Sequence, residues 1–160
     1  MTDFATLLRT LAGQDVAYIL VGGAAATVHG SARLTLDVDV VYGRTPDNLA
    51  RLVNALAPHA PRLRGAPPDL PFRWNAETLE RGLNFTLATT LGPIDLLGEI
   101  AGGGTYELLL PDSEKVTAFG VTCRCVTLER LIRLKRAAGR VKDLEAVAEL
   151  ELLRDERSRH

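Results

Sequence analysis

Cysteine is nearly absent from the 160-residue sequence, and the two present, Cys123 and Cys125, stand one residue apart. A bridge between such close neighbours is strained, and no other Cys or nearby His completes a zinc set. A disulfide scaffold and a structural zinc site are thereby excluded, and two reduced strand thiols in a cytoplasmic protein are expected. An excess of either charge is lacking too: 19 basic against 20 acidic residues give a net charge of −1. Nothing global draws the chain to nucleic acid, so any anion site must be local. No apolar run approaches the roughly 20 residues that a membrane span needs. Residues 1–11 carry Asp3 and Arg9 without the apolar centre of a secretory signal. No internal repeat is visible. The length is expected to yield one domain, residues 1–160, large enough to bury a core.

What is present concentrates between residues 18 and 42, YILVGGAAATVHGSARLTLDVDVVY. Residues 18–21 are a short apolar run rich in β-branched side chains, stopped by Gly22-Gly23. Residues 24–29 are small and helix-tolerant, closed by Gly30. Residues 36–40 alternate with a period of two, which puts Asp37 and Asp39 on one strand face and Leu36, Val38 and Val40 on the other. Two carboxylates about 7 Å apart along a strand repel each other and gain nothing from burial. A divalent cation between them removes that cost, because Mg²⁺ binds hard oxygen ligands and keeps waters or substrate phosphates as its others. A glycine turn feeding a helix exposes backbone N–H groups and a positive helix end to an anion. A phosphate cradle beside paired acids points to a metal–nucleotide site.

The remaining pattern is that of a mixed α and β chain. Residues 3–11 predict an amphipathic helix through Phe4, Leu7, Leu8 and Leu11, with Thr2 as its cap. Thr45, Pro46 and Asp47 open a second helix running to about residue 56, its stripe formed by Leu49, Leu52, Val53 and Leu56. Residues 58–71 hold five prolines with His59, Arg62 and Arg64, and predict a long loop of the kind that is often functional. A helical turn at 77–81 and strands at 84–89, 93–97, 116–119 and 121–126 follow. Thr127 caps a helix over 128–138, Gly139 breaks it, and a second helix spans 141–154 with Leu144, Val147, Ala148 and Leu152 as its stripe. Residues 154–160 read as a frayed charged tail.

The order Gly22-Gly23, short helix, Arg33, then Asp37-x-Asp39 resembles the signature of the nucleotidyltransferase superfamily with the DNA polymerase β-like fold. The fuller pattern GGxAxxxHGxxRxTxDxDxxV is similar to that of the minimal nucleotidyltransferases, notably the AbiEii-type toxin branch. Residues 131–144, LIRLKRAAGRVKDL, resemble the helical motif of that branch. The resemblance spans roughly residues 15–150, and its specific part is these two blocks. It implies an α+β fold: a small mixed twisted sheet over about 15–126, helices on one side, and a helical segment over about 127–154 closing the cleft. It also implies a third carboxylate from a later strand, and Asp95 in the apolar stretch GPIDLL fits. An unpaired charge there would be costly.

Under the same resemblance Asp37, Asp39 and Asp95 hold Mg²⁺, two ions with Mn²⁺ as a substitute, and Asp95 serves as general base. Gly22 and Gly23 contact the β- and γ-phosphates. Gly23 stands where many members of the superfamily have serine, so the backbone must replace a hydroxyl contact. Six cations, Arg130, Arg133, Lys135, Arg136, Arg140 and Lys142, fall within thirteen residues. Lys135 falls on the apolar side of its helix and is expected to reach inward to the triphosphate, with Arg140 and Lys142 near it. Lys142-Asp143 matches the Lys-Asp pair of the branch, whereas Ala146 stands where a second acid is common. Arg33 pairs with an aspartate, orients the loop or reaches phosphate, three roles the sequence leaves open. His29 is expected to pack beneath the loop.

The expected activity is transfer of a nucleoside monophosphate from an NTP to a hydroxyl of RNA such as tRNA, of a protein or of a small molecule. The resemblance extends this to a toxin partnered by an antitoxin. The rival expectation is a non-catalytic nucleotide-binding or interaction module that retains the fold, and a third is a plain partner-binding protein with an acidic strand.

Overall fold

The structure, a computed structural model, describes residues 3–67 and 69–159. Strands β1 (Tyr18–Val21), β2 (Val38–Tyr42), β3 (Arg62–Leu63), β4 (Asn84–Thr89), β5 (Gly92–Leu97), β6 (Ser113–Ala118) and β7 (Val121–Val126) form one sheet in the order β3-β4-β5-β2-β1-β7-β6. Its centre is mixed. β1 runs antiparallel to β2 and parallel to β7, while β2 runs parallel to β5. The outer pairs β4–β5 and β6–β7 are antiparallel hairpins. β1 is buried along its whole length, as an unbroken apolar run requires when both faces are covered. Each such Leu, Ile or Val contributes roughly 1.5–3 kcal/mol by leaving water.

Helices α1 (Phe4–Gly13), α2 (Gly22–Val28), α3 (Pro46–Leu56), α4 (Ala76–Arg81), α5 (Tyr106–Leu109), α6 (Leu128–Ala138) and α7 (Val141–Ser158) complete the fold. α1 packs on β7 and α3, α2 on β1, β2 and α6, and α6 on α7. Asp3 caps α1, accepting from the Thr6 amide at 3.0 Å. Thr2, the cap expected from sequence, lies outside the described residues. Thr45 and Thr127 cap α3 and α6 as the sequence predicts. Among the described residues no helix is long and apolar enough to cross a membrane.

Several boundaries move. The acidic strand starts at Val38 rather than at residue 36, and Leu36, expected on one face with Val38 and Val40, is 61 % exposed while those two are buried. The 58–71 stretch is not wholly loop. Its residues 62 and 63 add an edge strand to β4, paired Arg62 to Ala88 and Leu63 to Leu87. Prolines at 58, 61, 67 and 71 hid so short a strand, which relies on β4 for its pairing. The C-terminal helix runs to Ser158, beyond the expected end at 154, because Arg157 is tied to His29. Its buried residues are Asp143, Ala146, Val147 and Leu150, while Leu144 and Leu152, placed in the stripe from sequence, face solvent. Helical periodicity is unchanged but rotated, since Asp143 goes inward with cationic partners.

Asn48 is a buried clamp that the apolar stripe of α3 does not reveal. Its amide donates to the carbonyls of Ala17 at 3.1 Å and Gly43 at 2.7 Å, and its oxygen accepts from the Ala17 amide at 2.6 Å. It thereby fastens α3 to the entry of β1 and the exit of β2, the two strands that carry the glycine corner and the acids. Asn48→Ala strands those backbone groups out of water, and a loss of about 3 kcal/mol is expected, read as a lowered urea midpoint at unchanged slope.

Candidate active site

Sheet register builds the site. In the antiparallel pairing Val21 faces Asp39, and in the parallel pairing Asp39 faces Asp95. Asp95 in turn faces Thr86 on β4, and the Arg64 amide, just past β3, donates to the Thr86 carbonyl at 2.9 Å. One row across five strands therefore brings together a glycine corner, two acids and an arginine. Gly22, immediately after Val21, has a φ of +64°. A Cβ there would lie 2.2 Å from Asp39 Oδ2, so the corner closes directly on that carboxylate. A Cβ on Gly23 would lie 2.4 Å from Thr35 Oγ1. The hydroxyl missing at residue 23 thus has another hydroxyl against it, from Thr35.

Asp37 lies in the segment leading into β2 rather than within the strand, its side chain 45 % exposed. Arg64 Nη2 reaches Asp95 Oδ1 at 2.7 Å and Asp37 Oδ2 at 3.8 Å, bridging the two. Asp39 is the most enclosed of the three. Its Oδ1 is buried without a hydrogen-bond partner. Burial pushes its carboxyl up to about 7, helped by the charge of Asp95, a hydrogen bond with Asp95 and the charge of Asp37, while Lys135 opposes the rise. Perturbed acids of this kind concentrate at functional sites.

Above the acids opens a cleft of about 380 Å³, lined in part by Gly23, Arg33, Thr35, Asp37, Asp39, Lys135, Arg140, Lys142 and Asp143. Asp95, one strand away, does not line this cleft and lies behind Asp39, paired with Arg64. A smaller cavity of about 180 Å³, with walls that include Leu97, Ile100, Leu131 and Leu134, shares Asp39, Lys135, Arg140 and Asp143 with the cleft and includes Gly22. Lys135, on the inward side of α6, holds its Nζ 3.7 Å from Asp143 Oδ1. Asp143 is buried, and hydrogen bonds from Arg140 hold its carboxyl below the usual range against the opposing effect of burial, with the charges of Arg140 and Lys135 adding to them. Arg140 Nε meets Asp143 Oδ2 at 2.6 Å, and the Arg140 amide also bonds this carboxylate, closing the first turn of α7.

Of the three roles open to Arg33, the structure shows a pairing with Glu145 at 3.7 Å, not with an aspartate. The loop before β2 is further fastened to α7 by Glu149, which accepts from the Ser31 hydroxyl at 2.5 Å and the Ala32 amide at 3.1 Å. His29 is buried, its Nε2 2.7 Å from the Val126 carbonyl at the end of β7 and its Nδ1 3.1 Å from Arg157 of α7, so its bonded partners are β7 and α7. Cys123 and Cys125 are free thiols on β7, pushed up by burial, Cys125 to about 12.

No protein-family model and no curated protein matches the chain. Among solved structures it is similar to a putative nucleotidyltransferase from Thermotoga maritima, at a TM-score of 0.53 and 12 % identity, over 100 % of this chain and 97 % of that one. The two share a fold. At that identity the likeness fixes the α+β architecture and nothing finer.

Whether a divalent cation suits the site is answered by the donors. Asp39 and Asp95 are hard oxygen ligands in contact, and the partnerless Asp39 Oδ1 is a vacant acceptor in a buried position. Mg²⁺ needs one or two protein carboxylates and takes its other ligands from phosphates and water. Among the described residues no three His, Cys, Asp or Glu side chains stand as a ready metal-binding group. The pair suits the ion, while Asp37 stands 3.8 Å from Arg64.

The raised Asp39 carboxyl sets a pH dependence. The folded state holds a proton that the unfolded chain releases near 3.8, so the contribution to stability is complete below that value and is lost as pH rises through about 7. In chelator, the urea midpoint is expected to fall between pH 5 and pH 8. Adding Mg²⁺ at pH 8 should recover it, because a bound cation neutralises the same charge.

Proposed function

We propose that the protein transfers a nucleoside monophosphate from an NTP to a hydroxyl acceptor, releasing pyrophosphate in a Mg²⁺-dependent reaction. The observation that carries this reading is the pairing of Asp39 with Asp95 on adjacent parallel strands, with the Gly22 corner against Asp39. Lys135, Arg140 and Lys142 face the same cleft and supply positive charge for a triphosphate. When bound, divalent cations at Asp37, Asp39 and Asp95 neutralise charge on the attacking and leaving oxygens. The acceptor oxygen forms the new bond to the α-phosphorus as the bond to the β-phosphate oxygen breaks. The hydroxyl proton passes to Asp95, and the pyrophosphate leaves with the electron pair toward Lys135. The amides of Gly22 and Gly23 orient the β- and γ-phosphates, and no covalent enzyme intermediate is needed.

The test is incubation with each labelled NTP and Mg²⁺ against a panel of tRNA, protein and small-molecule hydroxyls. Pyrophosphate release with label on an acceptor supports the reading, and silence across the panel removes it. The closure of Arg64 over the acids favours a second reading, a non-catalytic nucleotide-binding module. NTP binding that is indifferent to Mg²⁺ and to Asp39→Ala would select that module. A toxin role with an antitoxin partner rests on the sequence resemblance, and growth arrest on expression, relieved by Asp39→Ala, is its test.

A further inference from the structure

Arg64 is the residue at the site that the proposed reaction does not use. Its guanidinium lies 2.7 Å from Asp95 and 3.8 Å from Asp37, while Asp39 beside them keeps one oxygen without a partner. These are the oxygens that a divalent cation would need. The guanidinium Nη1 also donates to the Leu87 carbonyl at 3.2 Å, so a backbone acceptor holds it over the acids from the far side. β3, just before Arg64, is two residues long and sits at the sheet edge, and Gly65, just after it, has a φ of +79°.

We propose that Arg64 is a tethered counter-cation, occupying the acids until a divalent cation displaces it and thereby lowering the site's affinity for that cation. This rests on the reading of the acids as a cation site. A planar guanidinium pairs well with carboxylates and phosphates through its N–H groups, but it brings a single delocalised charge. A divalent cation binds the same oxygens and adds substrate phosphates as further ligands. The two cannot share Asp95 and Asp37 without like charges in contact, so one leaves. The exchange also accounts for the absence of a ready three-acid group among the described residues, since Arg64 spreads Asp37 and Asp95 around itself. Nucleotide, which arrives with its own cation, is then what tips the balance toward displacement.

Direct Mn²⁺ binding, followed by electron paramagnetic resonance and competed with Mg²⁺, reads the effect without any turnover. Arg64→Ala is expected to tighten Mn²⁺ binding at least tenfold, with Arg64→Lys in between and Arg62→Ala, an exposed arginine two residues earlier that bonds none of the acids among the described residues, at the wild-type value. In chelator Arg64→Ala should melt below wild type and gain more from added Mn²⁺, because its acids have lost their only bonded cationic partner among the described residues. Arg64→Gln, which keeps the side-chain bulk, replaces it if the alanine variant does not fold. Unchanged or weaker Mn²⁺ binding in these variants, alongside wild-type binding that Asp39→Ala abolishes, overturns the counter-cation and leaves the cation site standing. No Asp39-dependent binding in any variant, with or without a non-hydrolysable NTP, overturns both.

Discussion

Asp39→Asn is expected to lower kcat/KM for nucleotidyl transfer by at least about a thousandfold while raising the stability of the cation-free protein. Asp39 is the acid at the meeting point of the register, against Gly22 on one side and Asp95 on the other. Under the proposed reaction, loss of its charge removes a carboxylate that would hold the cation, and charge neutralisation is the main catalytic device open to such a site. The same charge is a burden on the fold. A carboxyl raised from 3.8 to about 7 corresponds to roughly 4 kcal/mol at most above that range. Asn relieves the charge but keeps polar atoms in a buried place, so a gain of about 2 kcal/mol at pH 8 is expected. The stability difference between variant and wild type should vanish near pH 4, where wild-type Asp39 is protonated. Asp143→Asn, by contrast, should destabilise at neutral pH, because that carboxylate is held ionised by Arg140 and Lys135. Activity of Asp39→Asn within tenfold of wild type would take Asp39 out of the reaction.

Asp37 and Asp39 were legible because their signal is local: alternation over residues 36–40 needs only a few residues of context. Asp95 came from the family resemblance, which calls for a third acid on a later strand. Their strand assignments then brought them side by side, although Asp37 itself precedes the strand. Lys135 was legible for a similar reason, as a cation on the wrong side of an amphipathic helix. Arg64 was not. Its contact with Asp95 spans 31 positions and runs through an edge strand of two residues, visible only once β4 supplies the pairing. The cue that remained was the Arg-Leu-Arg alternation at 62–64 inside a proline-rich stretch. The rotated face of α7 has the same origin. Leu144 and Leu152 outrank Asp143 on any hydrophobic scale, and only the partners Arg140 and Lys135 make its burial affordable. Glu149 was equally hidden, since the donors to its carboxylate lie more than a hundred residues away at Ser31 and Ala32.

The two glycines of the corner should respond differently to the same added methyl group, and that contrast tests how the corner is built. At Gly22 the backbone has a φ of +64° and the new Cβ would meet Asp39 Oδ2 at 2.2 Å, with Asp39 Cβ and Cγ both at 3.0 Å. The left-handed conformation costs an L-residue roughly 1–2 kcal/mol, and Asp39 cannot retreat because its strand is fixed on both sides by Val21 and Asp95. Gly22→Ala is therefore expected to lose about 3 kcal/mol of stability and, under the proposed reaction, at least about a hundredfold in activity, because Asp39 is displaced from the position that reaction needs. At Gly23 no positive φ is involved, and the obstacle is the Thr35 side chain, whose hydroxyl lies 2.4 Å from the added Cβ. Thr35 sits in the segment before β2, partly exposed, with a 3.2 Å bond to the Asp37 carbonyl as its constraint. Gly23→Ala should cost about 1 kcal/mol and be rescued by Thr35→Ala, whereas removing the Asp39 side chain should not rescue Gly22→Ala, because backbone strain persists. A double-mutant cycle on urea midpoints reads both couplings. Equal rescue at the two positions would mean that side-chain crowding alone governs the corner, and that the left-handed turn at Gly22 contributes nothing to placing Asp39.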